Sequence, residues 1–323
     1  DLPPGFLDFL LPLHREFTRR QRELLTIRAE TLDWASKGRL PDYYSVIEAT
    51  AWTRATSNWS FREYAEAQTG FWKVKLPDWC LDQRCQVVVP ADDAEQGVRM
   101  LSSGVPGVVL DLEESMANQW PNLMLGIENA VQALKGTLTY QDGSTHQPIA
   151  PGESKSVVFV RPRGLHLSQA GVLEREAVAA PLFDVAMIAY QVDAAQLRHP
   201  LSFYIPKAED VEEGKWWRDL FQAVARARGL PESYIKCMAL VESHPLPYAL
   251  EEFVWNLRAH IMGVAFERWS YTASLLHFNL HDPHWVLPDR NTLPHDIPFL
   301  QRVRELVVEL CHKHGLLAIG GMA

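Results

Sequence analysis

The sequence is short of positive charge, has few cysteines and contains no long apolar run. Its 31 Lys and Arg against 40 Asp and Glu leave a formal charge of −9 over 323 residues. A sequence-independent nucleic-acid binder needs a basic face to meet phosphates, so that class is excluded. A small anion held by a few local Arg and Lys is not. No stretch approaches the roughly 18 apolar residues of a membrane helix, and no signal peptide is visible. The expected location is therefore cytoplasmic, without membrane contact. Cys80, Cys85, Cys237 and Cys311 match no zinc spacing and read as free thiols of a reducing compartment. No Gly-rich phosphate loop follows an early strand, and there is no internal repeat. The chain opens on Asp1 rather than Met, and is expected to be trimmed there.

What is present is an ordinary globular composition, with 47% hydrophobic and 22% charged residues. Residues 5–37 repeat apolar positions at helical spacing, with Pro12 expected to kink or divide the helix. Residues 38–80 read as irregular, with a helical piece around Phe61–Ala67. Beyond them come short β-branched runs: QVVVP (86–90), GVVLDLEES (107–115), SVVFVRPRG (156–164), LSFYIPKAE (201–209), IKCMALVES (235–243) and LLAIGG (316–321). Further strands are expected near 262–266 and 270–276. Amphipathic helical patterns lie between many of them, as in WWRDLFQAVARARG and IPFLQRVRELVVELCHKHG. Near-continuous apolar strands alternating with helices indicate parallel strands covered by helices. The count fits a (β/α)8 barrel with an N-terminal helical segment; an open doubly wound sheet is the alternative. The expected division is residues 1–80 and residues 81–323. Residues 138–155 read as a surface hairpin turning at QDG.

In a (β/α)8 barrel the chemistry gathers at the carboxyl ends of the strands. Those ends supply Asp111, Glu113 and Glu114, then Arg161 and Arg163, then Lys207 and Glu209, then Glu242 and His244. The last is the turn Glu267-Arg268-Trp269-Ser270. Carboxylates and cations converging on one mouth suit a divalent metal and an anionic substrate, Mg²⁺ being the ion that takes oxygen ligands and keeps several waters. His166 reads as a core or supporting histidine. His281, His284 and His295 read as surface residues of a Pro-rich loop, and CHKHG (311–315) as a basic helix end.

At these strand ends the sequence resembles malate synthase, the A-type form in particular. The matching stretches are RPRGLHL (161–167), PLFDVAM (181–187), FYIPKAE (203–209), IKCMALVES, WVLPDR (285–290), CHKHG and GGMA (320–323), in the family's order. The resemblance implies a condensation of acetyl-CoA with glyoxylate, the malate-forming step of the glyoxylate cycle, followed by thioester hydrolysis and assisted by Mg²⁺. It gives Arg161 the catalytic arginine's position and Glu242 the first metal-ligand position. It also implies substrate contacts from Asp111, Glu113, Glu114, Glu267, Arg268 and Trp269.

The sequence departs from the family at the turn that should read Gly-Arg-Trp-Asp. Ser270 stands where the second metal-binding Asp is expected, and Glu267 where a Gly is expected. Glu267 could return the charge lost at 270 if it turned toward the metal. The resemblance also implies a helical carboxyl-terminal domain carrying the catalytic aspartate, which is not among these residues. Three readings follow: a malate synthase-type enzyme, a barrel with another acyl-CoA reaction (a carbon–carbon lyase or thioester hydrolase), or a silent barrel binding acyl-CoA or a protein.

Overall fold

The computed structural model describes residues 2–43 and 61–321. The expectations for 44–60, and the last two residues of GGMA, lie outside the described residues. The first helix, α1 (Phe6–Ser36), continues through Pro12 instead of breaking there. A mid-helix proline removes one backbone hydrogen bond and crowds the preceding turn. Phe6, Leu10, Leu13 and Phe17, spaced on one helical face, are all buried around it and offset that cost. Helix α2 (Phe61–Thr69) falls where a helical piece was expected.

Two units divide the chain. The first takes residues 1–19, 76–206 and 220–238; the second takes 20–75, 207–219 and 239–323. In the first, β1 (Gln86–Pro90) leads through α3 (Ala94–Ser102) to β2 (Gly107–Asp111) and α4 (Trp120–Lys135). The short strands β3 (Tyr140–Gln141) and β4 (Pro148–Ile149) then pair antiparallel as the expected hairpin. Its turn is fixed by Asp142, which accepts the backbone N–H groups of Ser144 and Thr145 at 3.0 and 2.8 Å. Next come β5 (Val157–Arg161), the minor pair β6 (Ser168–Gln169) and β7 (Val178–Ala179), α5 (Ala180–Gln191) and β8 (Ser202–Ile205). The main strands lie in the order β1-β2-β5-β8 and run parallel. Register places Pro90 beside Asp111 and Asp111 beside Arg161.

Helix α6 (Val211–Ala227) and strand β9 (Lys236–Val241) each pass from one unit into the other. The second unit continues with α7 (Leu250–Asn256), β10 (Ile261–Phe266), α8 (Arg268–Phe278), α9 (Pro298–His314) and β11 (Leu317–Ile319). Strands β10 and β11 pair parallel, Gly263 against Leu317. Every residue of β2, β8 and β10 is buried, the signature of strands covered on both faces. Parallel strands alternating with helices make this an α/β, barrel-like fold.

Several elements differ from the sequence reading, the minor pair β6 and β7 among them. Helices α4 and α5 carry patterns not read as helical, and residues 270–276 lie in α8 rather than a strand. In α5, residues 180–189 are all buried, so no polar face marks the helical period. Residues 270–276 follow a turn that starts a helix at Arg268, which their β-branched and aromatic content disguises.

Two helices end on glycine in the left-handed region, Gly136 (φ 70°) and Gly315 (φ 73°). A Cβ at Gly136 would meet nothing within 4 Å, whereas one at Gly315 would sit 2.9 Å from the carbonyl oxygen of Val74. Gly136→Ala is expected to lower stability by about 1 kcal/mol, and Gly315→Ala by roughly 2–3 kcal/mol. Urea midpoints of the two variants, measured side by side, check the difference.

Candidate active site

The first unit's site residues start from register. Asp111 and Arg161 end neighbouring parallel strands at the same level, so their side chains leave the sheet together. The Arg161 guanidinium donates through Nε and Nη2 to the two oxygens of Asp111, both at 2.6 Å, and its Nη1 lies 3.6 Å from Glu114. Asp111 also accepts the backbone N–H groups of Glu113, Glu114 and Ser115, at 2.9, 3.2 and 2.8 Å, and the Ser115 hydroxyl at 2.6 Å. Burial alone would push the Asp111 carboxyl upward; the Arg161 and Ser115 bonds outweigh it and hold the group below the usual carboxylate range. Asp111 is thus a clamp on Arg161. Glu113 is half-buried and Glu114 is exposed.

A second fork lies two residues on. Buried Arg163 donates to Asp184 through Nη2 at 2.8 Å and Nε at 3.1 Å, while Asp184 also accepts the Arg163 backbone N–H at 2.9 Å. Asn118 and Gln169 accept from Nη1. Asp184 sits in the PLFDVAM stretch, which the sequence marked without giving it this partner. His166 is exposed rather than in the core.

The second unit gathers its own group. Glu242, directly after β9, is 1% exposed. One of its oxygens accepts the backbone N–H of Lys207 at 2.7 Å and the other the Lys207 ammonium at 2.9 Å. The same ammonium donates to Ser270 Oγ at 2.9 Å. Lys207 has φ +52°, a left-handed conformation that costs a lysine energy. It is held from both sides, because Arg28 Nη2 donates to the Lys207 carbonyl at 2.6 Å. Arg28 in turn forks onto buried Glu213 at 2.6 and 2.8 Å and reaches Glu209 at 3.3 Å. Sequence reading named Lys207 only as a strand-end charge; nothing in FYIPKAE announces the turn that aims it at residues 242 and 270.

Glu267 is 4% exposed and stands just before α8, its backbone N–H donating to the Val241 carbonyl at 3.0 Å. Arg268 lies over the Trp269 ring at 4.2 Å, with Arg290 at 5.5 Å from the same ring. His295 is exposed beside Arg268, 2.7 Å from its Nη1, and His281 and His284 are exposed as expected. His244 is buried among Tyr248, Tyr271 and Phe278, and burial pushes its imidazole down to about 4. It is a neutral core histidine. In CHKHG, His314 stacks on Trp72 and meets Glu251 at 2.7 Å while His312 is exposed, so the two do not converge.

These donors do not fit a divalent cation. Among the described residues no three His, Cys, Asp or Glu side chains group as a metal site. Both Glu242 oxygens accept from Lys207, and Ser270 shares that ammonium. Mg²⁺ asks for octahedral oxygens at about 2.0–2.1 Å, and here a positive charge already lies between the two expected ligands.

Comparison with known proteins decides the family. The family model described as the malate synthase TIM barrel domain matches residues 157–323, just over half of the chain. The chain belongs to the malate synthase family. Malate synthase A of Escherichia coli (strain K12) is 31% identical over 324 residues, covering 98% of this chain and 57% of that protein. The malate synthase of Streptomyces clavuligerus is 31% identical over 330 residues, 100% of this chain and 58% of its own. Glyoxysomal malate synthase of Candida tropicalis is 30% identical over 98% of this chain and 56% of its own. The chain therefore spans a little over half the length of these malate synthases. Among solved structures, Haloferax volcanii malate synthase, native at 3 mM glyoxylate, matches with a TM-score of 0.54 and 14% identity. The match covers 78% of this chain and 65% of that one. It supports the fold alone. Among the described residues no helix is long and apolar enough to cross a membrane.

Burial raises the carboxyls of Glu209 and Asp210 to about 7 each, with Arg28 pulling both back only in part. Both groups hold protons more tightly when folded than when unfolded. Their contribution to stability is full below the ordinary carboxyl range and is lost as pH rises toward 7. Glu209→Gln is expected to flatten the decline between about pH 4.5 and 7, read from urea midpoints taken at intervals across that range.

Proposed function

We propose that this chain forms the barrel of a malate synthase-type enzyme, with residues 1–80 as its N-terminal segment and 81–323 as the barrel. It joins an acyl-CoA to a 2-oxo acid and hydrolyses the thioester, with acetyl-CoA and glyoxylate as the first substrates to try. The partners are these small molecules; neither nucleic acid nor membrane enters the reaction. The observation that carries the reading is Arg161, a guanidinium fixed at a strand's carboxyl end by the buried fork to Asp111.

The reaction forms a bond between the acetyl methyl carbon and the aldehyde carbon of glyoxylate. The methyl group gives up a proton, and negative charge collects on the former aldehyde oxygen. Arg161 meets that charge with donors oriented beforehand, so no reorganisation is needed as the charge develops. Asp111 positions Arg161 and takes no proton, since six donors already converge on it. The proton goes to a general base, a role the family resemblance gives to an aspartate. Glu113, Glu114, Glu267, Arg268 and Trp269 are assigned to substrate contacts. The ammonium between Glu242 and Ser270 favours a second reading, in which the same barrel performs another acyl-CoA reaction, cleaving a carbon–carbon bond or the thioester.

The test is CoA release from a panel of acyl-CoAs and 2-oxo acids, with products identified by mass spectrometry. Malate from acetyl-CoA and glyoxylate is the expected result. Arg161→Lys, which keeps the charge but loses the fork, is expected to lower kcat/KM by about 10²-fold. Thioester cleavage without a new carbon–carbon bond would move the assignment to the second reading. No CoA release from any pair would overturn both.

A further inference from the structure

In the second unit, the place between Glu242 and residue 270, where the family resemblance implies Mg²⁺, holds a side chain of the chain itself. Both Glu242 oxygens are engaged by one residue, through the Lys207 backbone N–H at 2.7 Å and its ammonium at 2.9 Å. The ammonium reaches on to Ser270 Oγ at 2.9 Å. The Glu242 side chain is fully buried, so its charge requires a partner, and the Lys207 side chain, 21% exposed, supplies it from the open side.

Charge settles which cation such a place prefers. Glu242 contributes −1, Lys207 +1 and Ser270 none, so the trio is neutral. An aspartate at 270 beside an uncharged residue at 207 would make it −2, which draws and holds a divalent ion. The backbone holds the lysine in place as well. Lys207 takes its φ of +52° because Glu242 accepts its N–H on one side and Arg28 donates to its carbonyl on the other. The lysine is thus held where its side chain starts, and a rigidly presented ammonium competes with a metal better than a flexible one.

We propose that the Lys207 ammonium is this site's built-in cation, standing between Glu242 and Ser270 in place of a divalent metal, so that the site is metal-independent. The equivalence of positions 242 and 270 with metal ligands rests on the malate synthase-type reading. The occupation by Lys207 rests on the geometry alone.

The test reads metal binding and needs no catalytic turnover, so it stands apart from the activity assay. Mn²⁺ is titrated into the purified chain and free ion is followed by electron paramagnetic resonance. The wild-type chain is expected to show no stoichiometric site tighter than about 1 mM, and Glu242→Gln to give a superimposable curve. The double variant Lys207→Met with Ser270→Asp is expected to gain one site per chain, at least about 100-fold tighter. One wild-type Mn²⁺ site in the micromolar range, abolished by Glu242→Gln, would overturn the proposal. So would a double variant with the wild-type melting curve that gains no site. Should the double variant fail to fold, the wild-type titration alone decides.

Discussion

Three buried guanidinium–carboxylate forks hold charge out of water in this molecule, and they organise its strand ends. Arg161 on Asp111, Arg163 on Asp184 and Arg28 on Glu213 are each paired through two guanidinium nitrogens, with every carboxylate side chain inaccessible to solvent. Lone buried ions would be strongly unfavourable, whereas a bidentate pair whose remaining sites are also bonded is tolerable. The benefit is orientation more than stability. Each fork fixes a planar group in one pose, and hydrogen bonds to neighbouring backbone fix the loop that carries it.

The same forks separate residues that could react from residues that support them. Asp111 and Asp184 lie at strand and helix positions that look catalytic, yet their lone pairs are committed to guanidinium and backbone donors. Glu209 and Asp210 stand apart from this pattern, since burial raises their proton affinity and Arg28 relieves it only partly.

Much of this was legible in the sequence. Six apolar runs became strands because strands covered on both faces need continuous β-branched residues, and QDG became a hairpin turn because Asp142 caps it. The Asp111 and Arg161 positions were visible as polar residues closing apolar runs. Helix α5 was hidden by the burial that makes it stable, since a helix without a polar face has no readable period. Ser270 was visible as an exception to a motif, but its partner was not. The ammonium contact depends on a left-handed lysine, and no residue type in Pro206-Lys207-Ala208 requires that conformation.

Glu242 holds Lys207 twice, once by the main chain and once by the side chain, and the two grips are not independent. Removing the carboxylate would free the charge and the backbone turn in one event, whereas removing the ammonium would leave the turn in place. Substitutions at 207 and 242 should therefore combine non-additively, because the pair behaves as one hinge pin with two bearings rather than as two contacts. The chemistry of the site and the shape of the loop after β8 are in that sense tied to one carboxylate.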